Sequence, residues 1–479
     1  MKAILAPNGR PARLEVKNWY DSGRPSSFSK DRAIVARMPE TVRREQNPWV
    51  RYEMLKQSRD LVHNSPFIHG LIERMVVYVC GSGIWPFAAT PDPEYNKKRN
   101  ASWRAFAKSP DVRSDFDWTA LLAQIYRTEL VEGDCGIVLT SYQGEPKLCV
   151  YEGKQLKSQT YTQAWGPSDE FDGIKIDKLG RPLAYRIEAD DGSADFTYID
   201  AANFVHVYNP LRPGQLRGIP LLASAIFTAR DIQEIINFEK LAVKWASSMK
   251  DVFKTATGEI SDENVFSQGY VAQDTEEKER YYKDVAGPHS IVLKSGDEWQ
   301  ETTSNRPSPA WQGFMDFLAQ TVCLSAGIPP SVLLQMKVGG ADTRRDLATA
   351  KRKFDIEQRR LACKAQKIWE FQGEAAIANG EIPPPPDGID SCTWRFPAAI
   401  TVDAGRDRAA DLKDVEAGLI TLEEYHAEGG LDAVEIEAQN VTEMARRRDL
   451  ITSAGLTLEE YSMLRRLEVP KQQTQPLAQ

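Results

Sequence analysis

The chain contains no uninterrupted apolar run approaching the roughly 20 residues that a membrane-spanning helix requires. Its most apolar early window, Met75–Cys80, is short and follows Glu73 and Arg74. No membrane anchor or secretory leader is therefore expected, and synthesis in the cytoplasm follows. Cysteines are few, at Cys80, Cys135, Cys149, Cys323, Cys363 and Cys392, and no two form a C-x-x-C pair. Their spacing does not specify zinc, and their mostly apolar settings fit reduced core thiols. No G-x-x-x-x-G-K-[ST] loop is present to cradle nucleotide phosphates, nor an H-E-x-x-H or G-x-S-x-G motif. No cofactor and no metal are expected. His63 and His69, six apart across a helix break, read as structural rather than as a metal pair, and His206 ends a strand, where packing or a backbone hydrogen bond is its natural use. A basic excess is also lacking. With 60 Lys and Arg against 68 Asp and Glu, the net charge is −8, unlike a protein that coats nucleic acid through its phosphates. Such a balance is still compatible with a wall past which DNA must slide.

What the chain does have is 479 residues, 42% of them apolar, ample for packed cores in about three domains at roughly 150 residues each. The first 50 residues are polar, with Arg24-Pro25-Ser26-Ser27, and read as an arm. A helical pattern runs from Trp49 to about Val79, with a break expected at Ser65-Pro66. Helices are expected at Trp103–Ala107 and Trp118–Glu132. Five strands follow, at Cys135–Tyr142, Lys147–Tyr151, Gly173–Asp177, Leu183–Glu188 and Phe204–Tyr208, with turns at Asp177–Pro182 and Asp190-Asp191-Gly192. A long helix is predicted from Pro220 to Met249, about 45 Å at 1.5 Å per residue. A β-like insert, Phe253 to about Trp299, separates it from a second helix at Ala310–Ala326, which stops at Gly327-Ile328-Pro329-Pro330. A loop, Gln335–Asp342, leads to a strongly basic helix from Thr343 to about Phe371. After the stiff Pro383–Pro386 stretch, the final ~75 residues are helical and markedly acidic up to Arg446. The fold class is α+β, with two helices leaving a body, carrying a small β unit and returning.

Four blocks in one order resemble a known family. They are Arg59-Asp60-Leu61-Val62-His63-Asn64-Ser65-Pro66 with Val79-Cys80-Gly81-Ser82-Gly83-Ile84; Gly173-Ile174-Lys175-Ile176-Asp177 with Gly180-Arg181-Pro182-Leu183-Ala184-Tyr185; His206 through Asn209-Pro210-Leu211-Arg212-Pro213-Gly214-Gln215-Leu216-Arg217-Gly218-Ile219-Pro220; and Leu293-Lys294-Ser295-Gly296-Asp297-Glu298 through Phe317 to Pro330. The pattern resembles the portal proteins of lambda-type tailed bacteriophages. One departure lies at Asp403-Ala404-Gly405-Arg406, where the family tends to show Asp-Pro followed by Lys-Glu.

That resemblance implies a portal fold. Residues 1–50 form an arm, 51–218 the first part of a wing, 219–250 a stem helix, 251–309 a clip and 310–330 a second stem helix. Residues 331–342 form a tunnel loop, 343–402 the wing's long basic helix and return strand, and 403–479 a crown and tail. It further implies a homo-oligomeric ring, usually of twelve subunits, at one capsid vertex. Double-stranded DNA is its translocated cargo. The terminase large subunit, head–tail connector or adaptor proteins, and major capsid and scaffold proteins are its partners. The expected location is the virion, after assembly in the host cytoplasm, with no membrane involved and no catalysis.

Within that frame, Gln335, Lys337, Gly339, Gly340, Arg344 and Arg345 are the candidates to line the DNA channel. Glycines let a loop change shape, and Lys337 can touch phosphate without sequence preference. Arg212, Arg217, Arg352, Arg359 and Arg360 are the candidates to pair with carboxylates of neighbouring subunits, where planar guanidinium groups suit bidentate contacts. Each also has a plainer reading, as a solvated loop charge or as part of a solvated helix face. Two other functions compete. One is a non-phage oligomeric channel or adaptor scaffold. The other is a metal-dependent nuclease, because Pro110-Asp111 with Glu152-Gly153-Lys154 mimics a Pro-Asp…Glu-x-Lys arrangement. That short pattern also describes an ordinary strand end turning at Glu152-Gly153.

Overall fold

A computed structural model describes residues 41–157, 170–189, 195–254, 289–293, 309–334, 340–388, 390–398, 404–422, 425–426 and 433–455. Most of the expected arm, the Asp190–Gly192 turn, most of the clip, Gln335–Gly339 and the C-terminal tail lie outside the described residues. The chain divides into two compact units, the first comprising 1–76, 124–140 and 148–353, the second 77–123, 141–147 and 354–479.

In the first unit, α1 (Val42–Glu45) precedes α2 (Pro48–Asn64). Asn47 caps α2 by accepting from the Trp49 N–H at 2.8 Å, with Pro48 in the first turn. The expected break falls at Ser65, whose extended backbone (φ −112°, ψ 108°) reflects the clash a following proline imposes on a helical residue. Helix α3 (Pro66–Cys80) then begins. The boundary between units falls within it, and also within α5 (Trp118–Glu132) and α9 (Gly340–Ala378).

Two sheets form the β part of this unit. In one, β2 (Asp134–Tyr142) lies between β3 (Glu145–Glu152) and β8 (Phe204–Tyr208). The other runs β4-β5-β6-β7, from Glu170–Phe171, Ile174–Ile176, Pro182–Glu188 and Phe196–Asp200. Alternation sorts its side chains. Phe171, Ile174, Tyr185 and Ile187 join Leu156, Phe204 and Leu216 in a core cluster, where Tyr185 stacks on Phe204 at 4.1 Å. Glu170, Lys175, Arg186 and Tyr198 take the other face by register. Strands β4 and β7 were not anticipated. Strand β4 is two residues long, and β7 has no apolar alternation because most of it is exposed.

The long helix α6 (Ile226–Ser248) starts six residues later than its proline predicts. From Pro220 to Ala225 the chain makes tighter turns, with Ala223 N–H donating to Pro220 O and Ala225 N–H to Leu222 O. Leu222, Ala223 and Ala225 are buried there, so packing overrides the helical periodicity. Strand β9 (Met249–Lys254) follows and pairs in parallel with β10 (His289–Leu293). The returning α7 (Pro309–Ala326) packs along α6. Gly327, at φ +71°, ends it before α8 (Pro330–Leu334).

The second unit contains β1 (Trp85–Ala88) paired antiparallel with β11 (Cys392–Arg395), and α4 (Pro93–Ala107), which starts ten residues earlier than expected on an Asp92 cap and Pro93. It also holds α10 (Ala404–Glu416) and α11 (Ala433–Ser453). Helix α9, 39 residues long, extends past the predicted basic helix at both ends. Its second half supplies Trp369 to a cluster in which the Trp103 ring meets Trp118 edge-on at 5.2 Å and Trp369 at 5.3 Å. Arg99 covers Trp369 at 3.4 Å and binds Asp390 at 3.0 Å. All three tryptophans are fully buried, so Trp103→Ala leaves a large cavity. It should destabilise the protein by about 3–5 kcal/mol in a denaturant titration.

Candidate functional site

The segment that leads into α6 is anchored by a buried charge network. Two glycines make it possible. Gly133 (φ +95°) ends α5, and a Cβ there would fall 2.6 Å from the Ile219 nitrogen. A Cβ on Gly218 would sit 1.7 Å from the Gly133 carbonyl oxygen. The two backbones therefore touch, and Arg217 is carried inward beside Asp134, the first residue of β2. Both side chains are fully buried.

Arg217 places all of its N–H groups. Nε donates to Asp134 Oδ2 at 2.6 Å, and Nη2 to Asp134 Oδ1 at 3.1 Å and Gly153 O at 2.9 Å. Nη1 donates to Leu156 O at 2.5 Å and Asp172 O at 2.7 Å. Arg51 of α2 donates from Nε to Asp172 Oδ2 at 2.6 Å. Asp172 reaches the pair because it and Gly173 form the β4–β5 turn with positive φ (46° and 81°), the Asp-Gly arrangement that tight hairpins favour. Two arginines thus face two aspartates, and the network is neutral. His206 Nε2 lies 3.4 Å from Asp134 Oδ2.

Burial alone would raise the Asp134 carboxyl. The Arg217 charge and the hydrogen bonds from His206 and Arg217 outweigh it and hold the group well below the usual carboxylate range. Burial likewise works against charged Arg217, but Asp134 and Asp172 hold it above its ordinary value. Nearby Glu132 behaves differently. Burial, aided by Glu152, pushes it up to about 7 despite its contact with Arg59.

Residues 39–336 match the sequence profile of the phage portal protein, lambda family. The chain belongs to this family. The portal protein of Escherichia phage N15 is 22% identical over 524 residues, covering 95% of this chain and 94% of the relative. Among solved structures, the neck of an empty gene transfer agent particle, computed with C6 symmetry, gives a TM-score of 0.46 at 12% identity, covering 79% of this chain and 94% of that one. The neck of the native particle, with C12 symmetry, gives 0.44 at 12% identity, covering 79% and 93%.

The expected site residues of this portal protein fall in several places. Gln335, Lys337 and Gly339 lie outside the described residues. Gly340 opens α9, and Arg344 and Arg345 are exposed on its first turns. Arg345 is flanked by Asp342 at 3.3 Å and Asp346 at 3.8 Å, which lowers its net pull on phosphate. Ser331 Oγ donates to Asp346 Oδ2 at 2.5 Å, joining α8 to α9.

Arg217 corrects the expectation of an intersubunit arginine, because every donor it has is spent inside its own chain. Arg212 bonds Glu45 of the same chain, and Arg360 bonds Glu357 at 2.7 Å. Arg352 and Arg359 are exposed on α9. Of the nuclease-like pattern, Glu152 bonds Arg59, and the Lys154 backbone N–H donates to Glu132 at 3.1 Å. Among the described residues no group of three or more His, Cys, Asp or Glu could hold a metal ion.

Arg51, Asp134 and Asp172 were not anticipated, although Gly133-Asp134 and Asp172-Gly173 were visible signals of special backbone. Removing one partner leaves an uncompensated buried charge, so Arg217→Met should destabilise by about 3–5 kcal/mol. Because the Asp134 pKa is depressed on folding, its contribution is complete above the unfolded value of about 4 and is lost as pH falls below it. Acid unfolding followed by circular dichroism should show this loss, and Asp134→Asn should flatten it.

Proposed function

We propose that this portal protein closes head-to-tail into a ring of about twelve copies, the channel for double-stranded DNA packaging and ejection at one capsid vertex. In this reading the two sheets and α9 are the wing, α6 and α7 the stem, residues 251–309 the clip, 331–342 the tunnel loop and 403–479 the crown. The clip docks the terminase large subunit during packaging and head–tail connector proteins afterwards. The role is mechanical, without catalysis by this chain.

The observation that carries the reading is a pair of exposed apolar stripes. On α6, Phe227, Phe238 and Leu241 share one side of the helix, and Phe238 is 69% exposed. The opposite side turns Ile236 and Val243 toward Trp311 of α7 across a groove. On α7, Phe314, Phe317 and Leu324 form a second stripe, with Leu324 70% exposed. Large apolar side chains concentrated on two helices of a water-soluble body mark an association surface. One copy can offer one stripe and its neighbour the other, the head-to-tail pairing that closes into a ring. Each such side chain taken out of water contributes roughly 1.5–3 kcal/mol.

Negative-stain images and light scattering test this. The native protein should form discrete rings with a central hole, and a compact monomer would sink the reading. Phe238→Glu combined with Phe317→Glu should keep the thermal transition while leaving the protein monomeric. Separately, Lys337→Ala should change DNA packaging or retention with rings intact. Failure of that variant to assemble would make the residue structural instead.

A further inference from the structure

The outer face of the β4–β7 sheet holds a cation, Arg186, for which the described residues supply no anionic partner. Arg186 is 7% exposed, and its Nε has no hydrogen-bond partner. Its Nη1 donates to the Lys157 carbonyl at 3.3 Å, and the Phe196 ring lies 3.8 Å from its guanidinium carbon. Two of the carboxylates on the same face are otherwise engaged. Glu170 accepts from the Tyr198 hydroxyl at 2.8 Å, and Glu188 bonds Lys157. Lys175 Nζ lies 3.6 Å over the Tyr198 ring. A guanidinium this deeply buried, with a donor unmet, is costly unless an anion completes it.

Beside it the surface is built for contact. Phe196 and Tyr198 meet edge-on at 5.6 Å and both remain exposed on β7. Strand β7 ends the sheet, and among the described residues no strand pairs with its outer edge. An open edge offers backbone donors and acceptors to an added strand, and pockets for alternate side chains give it selectivity.

We infer that this face docks an extended acidic segment of another protein, which lies along β7, packs on Phe196 and Tyr198 and places a carboxylate against Arg186. Nucleic acid fits less well. A duplex carries one charge per about 1.7 Å and would bring phosphates against Glu170, Glu188 and Asp200 on the same face, whereas a peptide can place one carboxylate at Arg186 and neutral residues opposite those three. The surface lies on different elements from the α6 and α7 stripes.

The test is site-specific photocrosslinking in assembled particles, with Tyr198→p-benzoylphenylalanine and mass spectrometry of the linked peptides. The expected product joins β7 to a segment of a different protein with Asp or Glu within a few residues of the link. Arg186→Gln should lower that yield at least tenfold while the thermal transition is unchanged. If Arg186→Gln does not fold, Phe196→Ser on the exposed side should give the same loss. Links only to other copies of this chain, links to DNA, no links, or a yield indifferent to these substitutions would each overturn the inference. Rings imaged in the same preparation separate the two readings: rings without the expected link sink this surface alone.

Discussion

The segment entering α6 depends on one contact, the approach of Gly133 and Gly218 that lets Arg217 sink beside Asp134. Everything in the network follows from it. Once the guanidinium is buried, it needs acceptors on every side, and it takes them from β2, from the turn after β3, from Leu156 and from the β4–β5 hairpin. Arg51 then neutralises the second aspartate from α2. The segment before α6, β2, the turn after β3 and the β4–β5 hairpin are thereby held around one planar group, and α2 joins them through Asp172. Hydrophobic packing could hold these elements together, but it is not directional. A five-donor fork is, and it suits a joint whose angle matters.

Being neutral and dry, the network also responds to solution conditions in its own way. Exposed pairs such as Arg447 with Glu443 are weakened by added salt. The buried quartet is screened much less. The basic residues at the start of α9 are tempered differently, by Asp342 and Asp346 beside Arg345. That local balance matches a chain whose overall charge is acidic.

Much of this architecture was legible in the sequence. Helical periodicity and the Ser65-Pro66 dipeptide located α2 and α3, and the long helix and the returning helix were evident in order. Four ordered motif blocks pointed to the family. What was hidden has physical reasons. Strand β7 carries its aromatics on a solvent-facing edge, so no apolar alternation announces it, and β4 is only long enough to complete a turn. The start of α6 was misplaced because burial of Leu222 favours a tighter turn than the helical pattern suggests. Arg217 read as a surface charge because nothing in its own neighbourhood reveals Asp134, 83 positions earlier. Glycine pairs that let two backbones touch are the one local trace of such a burial.

The exposed stripes on α6 and α7 carry a consequence for the life of a single subunit. Before its neighbours arrive, each copy presents Phe238, Phe317 and Leu324 to water, and those surfaces do not discriminate strongly among apolar partners. Capture by a sister subunit is second order in concentration, so dilute chains remain adhesive for longer than concentrated ones. Productive association is therefore a race with miscellaneous adhesion, and the rate of synthesis sets the odds.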